Sequence, residues 1–368
     1  MMVMSLKNRV KKIFKKRHPP VDKIIIKNGS ETNIDPNFFY STGIDKGLFE
    51  ECAAVLYPNG DIDLIISKLE ESIATDYNHN IIIFKNKKEL DSILKKQLKD
   101  TKDIGLNFDG LSHRDFEFIT GSLKHNNIKD VSEDLMKARM IKDSEEISQI
   151  KKACHIADKV AGKIPDFVSK GMHEYELAAE IDYYIQRYGA DKPAFLTISS
   201  FGQNTSKPHY SHGDNKIEYG DIILCDFGAC YRRYNSDITR AFVFGKASEK
   251  QKKIHETVFN AQKVGFEKIK PKIQARKVHE VVNDLINNTG FKDLFIHSTG
   301  HSLGLEVHDG GVGFNSGCDV LLSENMVLTV EPGIYKPNFG GIRIEDDILI
   351  KNEGIEILTK SDRSLIEI

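Results

Sequence analysis

The sequence predicts an α+β protein in two domains, a small α/β domain followed by a larger one in which helices and strands are segregated. Three observations predict this. The chain has 368 residues, enough for two hydrophobic cores. From Val21 to Lys129 short apolar runs alternate with amphipathic helical stretches, as in a small α/β unit. From Asp130 to Gly189 the pattern turns helical, and from Lys192 onward it is strand-rich and glycine-rich. The expected division is a basic extension at 1–20, an N-terminal domain at 21–133 and a second domain at 134–368.

Residues Met1 to Pro20 carry Lys7, Arg9, Lys11, Lys12, Lys15, Lys16 and Arg17 and no acid, with Val3, Leu6, Val10 and Ile13 at helical spacing. A solvated or frayed extension is expected, in preference to a basic amphipathic helix on an anionic surface. Ile24-Ile25-Ile26 is a short apolar run. Residues 53–57 and 61–66 flank Pro58-Asn59-Gly60, a hairpin signal. Ile81 to Phe84 reads as a strand, and Glu89 to Lys99 as a helix with Leu90, Ile93, Leu94 and Leu98 on one face. Asp103 to Phe108 returns as a strand, and Ser112 caps a helix to Leu123. His79, His113 and His125 have no ligand-like neighbours and are expected at the surface.

Ser144, Glu146 and Ile147 open a helix that carries Ile150, Cys154, Ala157 and Val160 on one face and is interrupted by Pro165. His173 to Tyr188 is the next helix. Phe195 to Phe201 reads as a strand, followed by the loop Gly202 to Gly213 with Pro208-His209-Tyr210-Ser211-His212. Tyr219 to Cys225 is a turn signal and then a β-branched apolar run, the mark of a buried strand. Its partner is expected from near Tyr234 through Val243, with the hairpin tip near Tyr231 and Arg232. In that register Asp226 and Asp237 oppose each other, their Cβ atoms about 5 Å apart. Carboxylates so placed in an apolar sheet repel unless a proton or a metal intervenes, and two divalent metals are the working expectation. Glu249 to Ile269 and Ala275 to Asn287 are amphipathic helices. Val327 to Gly333 is a strand ending in Glu331, and Gly341 to Asp346 is a strand with Arg343 and Glu345 on one face.

Composition narrows the function classes. The hydrophobic fraction is 40%, the charged fraction 29% and the net charge −2, which gives no electrostatic case for nucleic acid. No apolar run reaches the length of a membrane span. Five scattered cysteines without a CxxC fit reduced thiols in the cytosol better than a disulfide framework. Cys225 and Cys230 read as small apolar residues.

Asp226, Asp237, Glu331 and Glu345 are carboxylates inside or at the ends of apolar strands, and His301 sits in a glycine-flanked turn. Acids there are costly unless paired or metal-bound. Four carboxylates and one imidazole suit a pair of ions such as Mn²⁺, Co²⁺, Fe²⁺ or Zn²⁺, about 3.5–4 Å apart. Asp221 reads as a turn-former, Asp309 and Asp346 as local hydrogen-bonding residues, His255 as a satisfied core histidine and His212 as a weak pocket candidate.

The motifs Pro208-His209, Gly220-Asp221, Asp226-Phe-Gly-Ala, Tyr234-Asn-Ser-Asp237-Ile-Thr-Arg240, Gly300-His301-Ser-Leu-Gly-Leu-Glu-Val-His308, Thr329-Val-Glu331-Pro-Gly333 and Gly341-Ile-Arg343-Ile-Glu345 stand in an order that resembles the pita-bread metallopeptidases. Within these they resemble the Xaa-Pro branch, prolidase and aminopeptidase P. The resemblance runs from Glu133 to the C-terminus. It implies a C-terminal pita-bread (creatinase/aminopeptidase) fold behind a creatinase-N-like α/β domain. It further implies that Asp226 chelates one metal, that Asp237 and Glu345 bridge both, and that His301 and Glu331 complete the second, with Glu331 also shuttling protons. His209 would face the substrate carbonyl, His297 and His308 would line the substrate site, Arg343 would support Glu345 and the substrate, and Tyr335 is a pocket candidate.

The implied reaction is hydrolysis of the bond between an N-terminal residue and a proline at the second position, in a dipeptide or a longer peptide, with a metal-bridging hydroxide as nucleophile. Two divalent ions per subunit (Mn²⁺ first, then Co²⁺, Zn²⁺ or Fe²⁺) and a homodimer belong to the same implication, while a cytoplasmic location is expected from the cysteine usage. A metal-free creatinase-like amidinohydrolase and a non-enzymatic binding protein are the alternatives on this fold, and five intact ligand positions argue against both. The sequence departs from the pattern at Arg233 and Ser302, where glycine is frequent, and at Ala241, where Thr or Ser is common.

Overall fold

Six short strands in the first part of the chain, most of them apolar runs, pair into one sheet, and the helical stretches between them cover it. The computed structural model describes residues 2–15, 19–121, 123 and 126–368; Lys16, Arg17 and His125 lie outside the described residues. The chain divides into two units, Met1–Arg139 and Met140–Ile368. The first runs α1 (Met2–Phe14), β1 (Lys23–Lys27), α2 (Pro36–Thr42), β2 (Ala53–Leu56), β3 (Ile62–Ser67), α3 (Glu71–Ala74), β4 (Asn80–Phe84), α4 (Lys87–Leu98), β5 (Asp103–Leu106), α5 (His113–Gly121) and β6 (Asn127–Asp130), with α6 (Ser132–Met140) at its end. The sheet order is β4-β3-β2-β1-β5-β6. The hairpin expected around Pro58-Asn59-Gly60 is the antiparallel pair β2 and β3. Ser112 caps α5 as expected, its Oγ accepting from the Asp115 N–H at 3.1 Å.

Two expectations for this unit need correction. The basic segment is not a frayed extension: Leu6, Val10 and Ile13 of α1 are buried, and the helix packs on α2. Its apolar stripe at helical spacing outweighs the charge of the segment, because the lysines sit on the opposite, exposed face. His79 is half-buried rather than a surface residue, with Nε2 2.7 Å from the Thr42 carbonyl. His113 is exposed.

The second unit continues with α7 (Ser144–Ala161), α8 (Ile164–Phe167), α9 (Glu174–Arg187), β7 (Lys192–Pro193), β8 (Ile198–Phe201), β9 (Ile222–Phe227), β10 (Ala229–Tyr231), β11 (Tyr234–Asn235) and β12 (Ile238–Val243). Then come α10 (Glu249–Lys268), α11 (Arg276–Asn288), β13 (Val327–Val330), β14 (Gly333–Lys336), β15 (Gly340–Arg343), β16 (Asp346–Lys351), β17 (Gly354–Ile357) and β18 (Ile366–Glu367). The main sheets are β18-β12-β9-β8 and β13-β16-β17, with the two-stranded pair β14-β15. The N-cap of α7 is Asp143, which forms a capping box with Glu146.

Strand alternation then decides which side chains meet. Ile223, Cys225 and Phe227 of β9 and Ile238 and Phe242 of β12 pack under α7 and α9 with Ile156, Val160, Leu177 and Ile181. By the two-residue period, Asp226 and Thr239 point to the other face. That face belongs to the core in which Ile222 and Ala241 meet α10, α11, β14 and β15. All five cysteines are free, and Cys225 is part of the first of these cores. Among the described residues no helix is long and apolar enough to cross a membrane.

The register differs from expectation. Asp226 pairs with Thr239 across β9 and β12, so Asp237 lies two residues away on the same face, a diagonal neighbour. The cause is the turn. The tip is Arg232–Arg233, one residue later than expected, between the paired Tyr231 and Tyr234. Both arginines have positive φ, 47° and 69°, which is the two-residue type I′ geometry that matches strand twist. The stretch from Gly341 to Asp346 is likewise not one strand: β15 ends at Arg343, and Glu345 forms an isolated bridge to Thr239.

Candidate metal centre

The face of β9 and β12 turned away from α7 and α9 collects the acids. Asp226, Asp237 and Glu345 are buried, and Glu331 is half-buried. Arg343 provides one cation: Nη2 donates to Asp226 Oδ2 at 2.5 Å, Nε to Thr239 Oγ1 at 2.9 Å and Nη1 to the Tyr335 hydroxyl at 2.7 Å. Thr239 Oγ1 passes its own hydrogen to Glu345 Oε2 at 2.6 Å. Thr239 thus fixes the relative placement of Arg343 and Glu345. Sequence reasoning missed it, although its position two residues after Asp237 puts it on the same face.

His301 is held from two sides. Its backbone N–H donates to Thr329 Oγ1 at 3.1 Å, and Nδ1 donates to the Ser302 carbonyl at 3.3 Å. The Nε2 lone pair therefore faces Glu331 Oε1 at 3.5 Å and Asp237 Oδ2 at 3.7 Å. Burial, reinforced by the nearby His308, lowers this imidazole to about 4, so it is neutral. A lone pair set against carboxylate oxygens is unfavourable unless a cation lies between them. Among the described residues, Asp226 Oδ1 and Asp237 Oδ1 are also buried without a hydrogen-bond partner. One donor atom each from Asp237, His301 and Glu345 lie within 4.8 Å of one another. Burial first, then the neighbouring acids, pushes Asp237 and Glu345 well above the usual carboxylate range. Burial likewise pushes Glu331 up to about 8, against the pull of Arg343. These orphaned oxygens and the misdirected imidazole are what a divalent ion would satisfy.

Two glycines let the backbones close in. A Cβ on Gly228 would lie 1.9 Å from the Ser236 carbonyl oxygen, and one on Gly300 would lie 2.0 Å from that of Thr329. Side chains at either position would push apart the strands and turn that carry Asp237, His301 and Glu331.

Around the acids the other predicted residues form a histidine-rich rim. Tyr335 is buried; its hydroxyl accepts from Arg343 and donates to His297 Nε2 at 2.8 Å. His297 Nδ1 donates to the Ser298 carbonyl at 2.8 Å. Burial, with help from Arg343, lowers His297 to about 3 and keeps it neutral. His308 is exposed and stacks on His301, with ring centroids 3.9 Å apart and planes 10° apart. His209 is exposed and lies close enough to lower the pKa of both His297 and His308. Among the described residues neither His209 nor His308 hydrogen-bonds to the acids.

A further acid lies behind the cluster. Asp347 Oδ2 accepts from the Asp237 N–H at 2.9 Å and from the Cys154 thiol at 3.3 Å. Asp346 is not a local hydrogen-bonding residue as expected: it holds Arg240 at 2.7 Å and Gln262 at 3.0 Å, both from distant elements. Asp221 is the turn-former expected, accepting from the Glu218 N–H at 2.9 Å. His212 Nδ1 is bonded to the Thr197 carbonyl, and His255 Nε2 to that of Arg363.

Residues 148–352, which contain every residue of this site, match the metallopeptidase family M24. The chain belongs to metallopeptidase family M24. Residues 8–141 match the creatinase/prolidase N-terminal domain, so an M24 pita-bread domain follows a creatinase-type N-terminal domain. Among M24 relatives, a protein named Xaa-Pro dipeptidase from Pyrococcus furiosus is 38% identical over 316 residues, covering 85% of this chain and 88% of its own length. Two solved M24 structures align over nearly the whole chain. An Xaa-Pro dipeptidase from Bacillus anthracis has a TM-score of 0.90 at 30% identity and covers 100% of both chains. An X-Pro aminopeptidase from Thermotoga maritima has a TM-score of 0.89 at 32% identity, covering 95% of this chain and 98% of that one. Membership in M24 implies divalent metal ions, and the donor set described above fits them.

Proposed function

We propose that the chain is a metal-dependent Xaa-Pro peptidase that cleaves the bond between an N-terminal residue and a proline at the second position. The observation that carries this is the buried cluster of Asp226, Asp237, Glu331 and Glu345 with the His301 lone pair turned toward it, inside the segment matched to M24. The Xaa-Pro substrate is supported by relatives and neighbours with that specificity in their names.

In this reading Asp226, Asp237, His301, Glu331 and Glu345 would hold the divalent ions. When bound, the ions supply Lewis acidity toward the scissile carbonyl and an activated water. The chain's own residues do the rest. Thr239 and Arg343 fix the carboxylates Glu345 and Asp226 in place. Glu331 moves a proton toward the leaving imino nitrogen, which as a proline nitrogen carries no hydrogen in the substrate. His209 and His308, both exposed on the rim, face the substrate, with His209 hydrogen-bonding the developing oxyanion. Tyr335 has its hydroxyl engaged by Arg343 and His297, so it positions His297 rather than reaching the substrate itself. Mn²⁺ is the first metal to test, since oxygen-rich sites favour it over softer ions. A cytoplasmic homodimer is part of the proposal, the free buried cysteines being in keeping with a reducing compartment.

The deciding assay offers the purified protein Ala-Pro and Ala-Pro-Ala with Mn²⁺, Co²⁺ or Zn²⁺. Turnover that chelation stops is expected, and preference between the two peptides separates dipeptidase from aminopeptidase. No turnover of either peptide with any of the three metals would reject the proposal.

A further inference from the structure

Glu174 opens α9 and is fully buried, yet it belongs neither to the acid cluster nor to the residues that brace it. Among the described residues no cation pairs with it. Oε1 accepts from the Phe201 N–H at 2.8 Å and from Asn204 Nδ2 at 3.0 Å. Oε2 accepts from the Tyr210 hydroxyl at 2.9 Å and from the Gly213 N–H at 3.1 Å. All four donors lie between Phe201 and Gly213, the segment that carries His209. Asn204 Nδ2 also donates to the Tyr210 hydroxyl at 2.9 Å, which closes the network around the carboxylate.

The first turn of α9 extends the same grip. The Glu174 and Tyr175 N–H groups donate to the carbonyls of Asn215 and Gly213 at 3.1 and 3.2 Å, and His173 Nδ1 donates to that of Asp214 at 2.7 Å. On its other side the segment is tied to β15, the strand of Arg343, where the Gly341 N–H donates to Thr205 Oγ1 at 2.8 Å. A buried carboxylate without a cation is costly unless donors saturate it. Here every donor comes from one short segment, so the carboxylate selects one conformation of that segment. His209, whose ring makes no hydrogen bond among the described residues, takes its place from these neighbours, above all from Tyr210 beside it.

We propose that Glu174 is a positioning residue that holds His209 in its working place beside His297 and His308. The inference rests on the reading of His209 as the residue that faces the reacting carbonyl. Two variants test it. Glu174→Gln replaces one acceptor oxygen by an NH₂ group that opposes the donors, and Tyr210→Phe removes a single hydrogen bond while keeping the ring. Three results are expected. Amides from Phe201 to Gly213 exchange with deuterium faster in both variants. Glu174→Gln lowers kcat on Ala-Pro or Ala-Pro-Ala about 10–100-fold with KM little changed, as displacement of a reacting group does. In a His209→Ala background, Glu174→Gln adds no further loss.

Unchanged exchange across 201–213, or losses that multiply in the double variant, would overturn the inference. If Glu174→Gln fails to fold, Tyr210→Phe is read by the same three measurements with a smaller effect expected. A wild-type protein inert on all Xaa-Pro peptides rejects the proposed activity, whereas the exchange measurement needs no turnover and still decides whether Glu174 fixes the segment.

Discussion

At the scale of single residues, the centre depends on a few side chains that hold the acids rather than on the acids alone. Thr239 is the clearest: one hydroxyl accepts from Arg343 and donates to Glu345. Thr239→Val keeps the shape and removes both bonds. Metal affinity by calorimetry, or kcat/KM at limiting metal, should fall about 10–100-fold, while Tm moves little. Asp237→Asn preserves volume and removes the charge; peptidase activity should be abolished, and full activity in that variant would show that Asp237 holds no metal. Much of this was legible in the sequence. Apolar strands interrupted by acids, and a histidine between glycines, pointed to Asp226, Asp237, Glu331, Glu345 and His301 because buried charge needs a reason. Thr239, Thr329 and Glu174 were not singled out. Hydroxyls and first-turn acids are common, and only their partners, more than 25 residues away for each, distinguish them.

At the scale of elements, two of the departures from expectation have one kind of cause. Local chemistry was read correctly and its geometric setting was not. The β9–β12 hairpin was expected, yet its tip lies one residue later, which moves the pairing by two and makes Asp226 and Asp237 diagonal neighbours. Nothing in Tyr-Arg-Arg-Tyr announces a turn, since both arginines adopt a conformation usually left to Asn-Gly. Left-handed conformation costs an ordinary residue about 1–2 kcal/mol. The double variant Arg232→Asn, Arg233→Gly should therefore stabilise the protein, by about 1 kcal/mol after the entropy of the added glycine, read as a higher urea midpoint. Charge misled in the same way at α1, where four basic residues concealed a stripe that is buried. Ile13→Ala should cost about 2–5 kcal/mol of stability in urea unfolding. A frayed segment would give no change.

At the scale of the whole molecule, stability is linked to what the centre binds and to pH. A ligand that binds only the folded chain stabilises it by about 2.7 kcal/mol at a hundred times its Kd. Mn²⁺ or Co²⁺ should thus raise Tm, and EDTA should lower it again. Burial holds His79 and His255 below their ordinary pKa. The unfolded chain then takes up these protons first as pH falls. Their contribution is complete above about pH 6.5 and is lost below it. Wild type should lose more Tm than His79→Gln between about pH 7.5 and about pH 5.5. The glycines at 228 and 300 have a consequence for genetics. Neither bears a functional group, yet a methyl at either meets a carbonyl oxygen at about half the normal contact distance. A screen for inactive alleles would return Gly228→Ala and Gly300→Ala beside Asp237→Asn, and score all three as active-site losses. Folded yield tells them apart, because only the aspartate allele accumulates a normal amount of protein.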